Sequence, residues 1–257
     1  MKSWTAPILC MTLVLAGGAA AVAQTIKPFA TSGPIENITA PATAPPTAPS
    51  RLQGQGVASD TILLIWQDNA TTESAFEIQG RTASGTYTSL GTTNPNVVGV
   101  FINNLDPSTT YFFRVRAVND AGNSAFTNEA SDATLESDAP CTPNATSMCL
   151  NGNRFRVQAL YLTSQGLSGE AKAVKLTEDS GYLWFFSASN IEAVVKVLNG
   201  CTSTNRYWVF AGGLTDVRVA LSVADTQHPD EIAVYVNPLG KAFQPIQDTT
   251  QALQSCP

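Results

Sequence analysis

The chain has 257 residues, of which 44% are hydrophobic and only 13% charged, with a formal net charge of −6. That length allows two ordinary domains, each able to bury its own core. The acidic balance is scattered, with no block of one sign, so composition excludes an electrostatic footprint for nucleic acid or an anionic membrane.

In chain order, Lys2, an apolar stretch from about Ala6 to Gly18, and Ala21-Val22-Ala23 read as a secretory signal over residues 1–23, cleaved before Gln24. The apolar stretch falls short of the about 20 residues that a membrane span needs, and Cys10 leaves with the signal. Residues 24–50 show no hydrophobic periodicity. The run from Thr39 to Ser50 alternates Pro with small residues, which predicts an extended, polyproline-like linker.

Over residues 51–135 short strand-like runs recur between turn signals: Leu52, Thr61 to Trp66, Phe76 to Gly80, Tyr87 to Leu90, Val97 to Ile102, Tyr111 to Val118 and an edge after Ser124. Seven short strands at this spacing predict a β-sandwich. A polar hinge at 136–140 separates them from residues 141–257. There the predicted strands are 154–162, 171–176, 182–186, 193–198, 207–210, 217–223 and 232–236. Phe155, Val157, Ala159 and Tyr161 alternate with Arg154, Arg156 and Gln158, so each sheet should bury one face. The fold class is therefore all-β, with a second antiparallel sandwich of seven or eight strands.

Four cysteines remain after signal removal, and export makes disulfides the default. Of the three pairings, Cys141–Cys149 with Cys201–Cys256 is favoured, because the first pair is close in sequence and the second ties down the C-terminus. Zinc is disfavoured: the spacings are not CxxC, and His228 is distant.

Pro49, Trp66, the run Leu105-Asp-Pro-Ser-Thr-Thr-Tyr111, Phe113-Arg-Val-Arg-Ala-Val-Asn119 and Gly122-Asn-Ser124 resemble a fibronectin type III domain, over about residues 45–135. The resemblance implies that Trp66 fills the space between sheets and that Leu105 and Tyr111 form a tyrosine corner. Cys149 to Val157, Leu176 to Phe186, Val194 to Cys201 and Tyr207 to Asp216 resemble a β domain that recurs at the C-terminus of exported bacterial proteins. That resemblance brings no activity and no catalytic residue with it.

Groups able to carry chemistry are sparse. A serine triad would have to use His228, which has no GxSxG context, and a metalloprotease would need HExxH. Glu178 with Asp179 is the nearest acid pair for a glycosidase, though adjacent turn acids usually face water; Asp216, Asp225 and Asp230 could join them around a calcium ion, but no dense Asp/Asn/Gly loop motif supports this. The expectation is no enzyme, no metal and no cofactor.

The aromatic runs Tyr182-Leu-Trp-Phe-Phe186 and Tyr207-Trp208 remain. Strand alternation puts Tyr182, Trp184 and Phe186 on one face. With Tyr207 and Trp208 they form either a further core layer, the favoured reading because Trp208 and Phe210 can join it, or a binding platform.

The resulting reading is a monomeric, non-enzymatic protein, secreted, periplasmic or at the cell surface, that binds an extracellular protein or glycan. It involves no nucleic acid and no membrane insertion after signal removal. The alternatives are an accessory part of an extracellular hydrolase system, a small hydrolase using acids of residues 141–257, and a structural protein that assembles through an exposed edge strand.

Overall fold

The computed structural model describes residues 26–28, 42–137, 140–228 and 231–257. The signal segment with Cys10, and Asp230, lie outside the described residues. The first sandwich uses β1 (Ile26–Pro28), β2 (Ser50–Gly56), β3 (Ile62–Gln67), β4 (Ala75–Thr82), β5 (Thr88–Thr93), β6 (Gly99–Ile102), β7 (Thr110–Asn119), β8 (Gly122–Asn123) and β9 (Ala130–Ala133). Sheet I has the order β1-β6-β3-β2. Sheet II has the order β5-β4-β7-β8, with β9 also on β7.

Alternation sends Phe76, Ile78, Phe113, Val115 and Ala117 of sheet II inward, against Ile62, Leu64, Trp66, Val100 and Ile102 of sheet I. Trp66 meets Phe76 edge-on at 5.5 Å. The Tyr111 hydroxyl accepts the Asp106 backbone N–H at 3.0 Å, closing the tyrosine corner beside buried Leu105. The linker departs from expectation: Ile26–Pro28 adds an antiparallel strand to the β6 edge. Asn119 and Asn69 also donate to the carbonyls of Ala44 and Ala48. Open backbone groups at a sheet edge are an incentive that composition does not display.

The second sandwich uses β10 (Met148–Leu150), β11 (Phe155–Leu162), β12 (Ser168–Glu170), β13 (Lys172–Lys175), β14 (Ser180–Trp184), β15 (Ala193–Asn199), the one-turn helix α1 (Cys201–Thr204), β16 (Tyr207–Gly213), β17 (Arg218–Asp225), β18 (Ile232–Asn237) and β19 (Ile246–Asp248). Sheet III has the order β10-β11-β17-β18, with β12 on β11. Sheet IV has the order β13-β14-β15-β16-β19. The β10–β11 turn takes Asn151, Gly152 and Asn153 through positive φ of 51°, 66° and 64°, a run that Asn and Gly tolerate best. The disulfides are Cys141–Cys149 and Cys201–Cys256, with Cα atoms 5.6 and 5.7 Å apart.

One buried face per sheet is not what forms in the middle of the molecule. Every residue of β11 and β17 is buried, as are Ile62 to Trp66 of β3. The cause is a third interface, in which the outer face of sheet I lies on the outer face of sheet III. Val57, Leu63 and Ile65 meet Leu160 and Ala220 there, with Phe101, Ile232 and Val234 alongside. Polar side chains of the two sheets pair across this interface. Gln53 donates to the Tyr161 carbonyl at 3.2 Å, and the Ser222 hydroxyl donates to Gln55 at 3.3 Å. Arg218 reaches the carbonyls of Trp66 and Val98 at 2.5 and 2.8 Å.

Burial pushes the Arg218 guanidinium down to about 10, which leaves it charged at neutral pH. Its two charge-assisted bonds clasp one sandwich to the other. Arg218→Ala should lower stability by about 2 kcal/mol and split a single urea transition into two. A variant that still unfolds in one step at the wild-type midpoint would contradict the clasp.

Candidate functional site

Sheet III covers one face of sheet IV, and no described element covers the other. Leu183, Ala193, Val195, Val197, Val209 and Ala211 point into the core. By alternation Val174, Tyr182, Trp184, Val194, Lys196, Leu198, Trp208, Phe210 and Gly212 point out. Register places Tyr182 opposite Val194, Val194 opposite Gly212, Lys196 opposite Phe210 and Leu198 opposite Trp208. Two aromatic rows, Tyr182 with Trp184 on β14 and Trp208 with Phe210 on β16, thus flank β15, two strand spacings apart and staggered, with Tyr182 level with Gly212 and Phe210 level with Ser180.

Trp208 and Phe210 meet edge-on at 6.5 Å. The Trp208 indole is held over Gly200, where a Cβ would come within 2.2 Å of the ring, and its Nε1 donates to Thr204 at 2.7 Å. Helix α1 therefore fixes this row. A shallow groove of about 360 Å³ crosses the face, lined by Leu176, Val194, Lys196, Phe210, Gly212 and Ile246 among others. Lys196 lies 3.9 Å from Asp179, half-exposed, and with Lys172, which stands opposite Trp184, puts cations on a largely apolar surface.

The favoured core reading of these aromatics is thereby corrected: Tyr182, Trp184, Trp208 and Phe210 are only partly buried and face outward. Two members of the predicted set do not share the face. Tyr207 is 5% exposed, packs at 4.6 Å on Phe155 and receives a hydrogen bond from Arg154, so it belongs to the interior. β14 ends at Trp184, so alternation lapses before Phe186, whose ring sits at the end of the sandwich against Tyr161 and Phe185. Sequence reading missed Val194, Lys196 and Gly212. Their alternation was visible, but their alignment with β14 and β16 is a matter of register, which no local signal encodes.

The acidic candidates are structural or solvated. Glu178 is exposed, and its hydrogen bond to Lys175 holds its carboxyl below the usual range; Thr177 does the same for Asp179. A general acid for glycoside cleavage needs the opposite shift. Asp216 is exposed on a loop. Asp225 is fully buried, bound by Arg154 at 2.6 and 3.1 Å and flanked by His228 at 3.2 Å. Among the described residues no group of three His, Cys, Asp or Glu could hold a metal ion.

A second surface, on sheet II, is an unbroken stack in the order Phe112, Arg81, Tyr87, Arg114, Phe126, Arg116, with guanidinium-to-ring distances of 3.9 to 5.1 Å. Its arginines already have acceptors: Arg81 pairs with Glu129, Arg114 with Gln79, and Arg116 with Glu77. Two of the three cations meet carboxylates, while Arg114 meets only the neutral Gln79 amide, and the stack stiffens its own sheet.

Residues 47–133 match the fibronectin type III domain. The crystal structure of FN3tt is 28% identical, over 35% of this chain and 95% of that one, with a TM-score of 0.31. The Fn3-like protein from Clostridium thermocellum is 21% identical, over 34% of this chain and 92% of that one, with a TM-score of 0.30. A β-1,2-glucanase from Parabacteroides distasonis is 17% identical, over 39% of this chain but only 14% of the enzyme, with a TM-score of 0.34. No curated protein matches the chain.

Proposed function

We propose that this chain, whose residues 47–133 are a fibronectin type III domain, is an exported, non-enzymatic binding protein that recognises an extracellular protein or glycan on the outer face of sheet IV. One observation carries the reading: the face presents two aromatic rows that nothing in the described chain covers. Five of the seven exposed large hydrophobics among the described residues, Leu176, Phe186, Ile191, Val194 and Leu214, also belong to the strands and loops of this sheet. Exposed apolar patches of this kind mark binding surfaces.

Export accords with the two disulfides, which persist in oxidising compartments. Among the described residues no helix is long and apolar enough to cross a membrane. We also assign residues 141–257 to the recurrent C-terminal β domain of exported bacterial proteins that their motifs resemble, with the fibronectin module as its rigid support.

Trp184→Ala and Phe210→Ala should each abolish capture of the partner from the source organism's surface while stability falls by no more than about 1 kcal/mol, as expected for partly exposed side chains. Trp208→Ala should lose capture and some stability together, because the indole also seats α1. If Trp184→Ala and Phe210→Ala capture the partner as well as wild type, the face is not the site.

A further inference from the structure

Three arginines of the second sandwich are buried, and two of them have acceptors. Arg154 meets Asp225, and Arg218 meets the carbonyls of Trp66 and Val98. Arg156 differs. It is 8% exposed, its Nε is buried without a hydrogen-bond partner, and no carboxylate of the described residues pairs with it. Burial pulls its pKa down with no neighbouring carboxylate to offset the pull, whereas at Arg154 burial is outweighed by Asp225.

Strand alternation explains where this cation stands. Phe155 and Val157 point into the core of the second sandwich, so Arg156 shares with Leu160 the face of sheet III that packs on sheet I. Its partners in register are Cys149 of β10, held in a disulfide, and Ala224 of β17. A sulfur is a weak acceptor and a methyl group is none. The next residue on that face, about 7 Å along the strand, is Gln158, which is 7% exposed. Ser222 bonds its main-chain carbonyl, and no described residue accepts from its side-chain amide. β10 pairs with β11 only as far as Val157 and β12 only from Leu160, so neither strand pairs with Gln158. A guanidinium and an amide thus stand side by side at a break in the sheet, with no protein acceptor for either.

We propose that Arg156 and Gln158 form a binding site for a small oxyanion, of the phosphate or sulfate class, at the seam between the two sandwiches. A buried cation without a counter-charge is costly, and a buried polar group without a protein partner marks a bound water or ion. Water could satisfy the Nε but would leave the charge uncompensated. The planar guanidinium matches two oxygens of a tetrahedral anion, and the amide of Gln158 donates to a third. At 8% exposure Arg156 admits a small ion and shuts out a side chain carried by a folded partner. The site lies on sheet III, away from the outer face of sheet IV, and the inference does not rest on the function proposed above.

The test is calorimetric titration of the mature chain with sodium phosphate and with sodium sulfate, at an ionic strength held constant with sodium chloride. Wild type should bind one anion per chain. Arg156→Met should weaken binding at least about tenfold, the loss expected for charge-assisted hydrogen bonds, and Gln158→Leu by about threefold. Thermal unfolding gives a second readout. Phosphate should raise the wild-type Tm, while Arg156→Met should melt no lower than wild type in chloride alone and should not respond to phosphate. Absence of binding by wild type overturns the proposal, and so does equal binding by wild type and Arg156→Met. An Arg156→Met variant that melts well below wild type in chloride would show that the guanidinium has a stabilising partner within the chain, and would overturn it too.

Discussion

Asp225→Ala should destabilise the second sandwich by about 3–5 kcal/mol, the cost of stripping a buried cation of its partner. The Arg154 guanidinium is almost completely buried, and the Asp225 side chain has no exposure at all. Burial works against the charge on Arg154, and the Asp225 carboxylate overcomes it, holding the guanidinium above its usual pKa. The same guanidinium donates to the Tyr207 hydroxyl and to the Ser255 carbonyl, and its plane lies 4.7 Å from the Tyr207 ring. Removing the carboxylate leaves one buried charge facing a phenol and a carbonyl. Guanidinium denaturation followed by tryptophan fluorescence should show the loss. Replacing both partners by apolar residues, Arg154→Met with Asp225→Leu, should recover much of it, because the pair carries a desolvation cost of its own. A single-variant loss below about 1 kcal/mol would place the pair among surface ion pairs and refute this account.

Cys201→Ser with Cys256→Ser should cost about 4 kcal/mol in the chain-entropy model, since the bond closes a separation of 55 residues. The equivalent change at Cys141 and Cys149, separated by 8 residues, should cost about 2.5 kcal/mol. Thermal unfolding of the two double variants checks the order. Equal losses, or a larger one at Cys141 and Cys149, would show that native-state interactions and not loop length dominate. Cys256 follows Ser255, the residue that Arg154 holds, so the two perturbations act on one tail. Combined with Asp225→Ala, the loss should fall short of the sum. Tyr207 receives Arg154 from one side, and its backbone N–H donates to the Leu253 carbonyl. The aromatic that looked like part of a platform is thus a wall of this C-terminal latch.

The candidate site divides in the same way between what local sequence shows and what it hides. Tyr182 and Trp184 could be placed together on one strand face from alternation alone, because side chains in a strand repeat every two residues. Whether that face met water depended on which sheet neighboured it. β11 and β17 show the converse case: alternation read Arg156 as solvent-facing, yet it is 8% exposed, and Arg218, on the same face of sheet III, is 5% exposed and bonded to the first sandwich. Polarity in a strand signals that a face is not the first core. It does not signal that the face is free.

What the sequence determined by itself was local and periodic: strands from two-residue alternation, turns from Asn and Gly, the tyrosine corner from Leu105 to Tyr111, and an oxidised C-terminal half from an even number of cysteines. The tertiary structure decided everything that depends on pairs of distant surfaces. It set sheet I against sheet III with Arg218 as clasp, put Tyr207 inside and Phe210 outside, and buried Arg156 with no acceptor among the described residues. The reason is that alternation specifies which side chains share a face, while the covering of that face is set by shape and register between segments that no short stretch of chain contains.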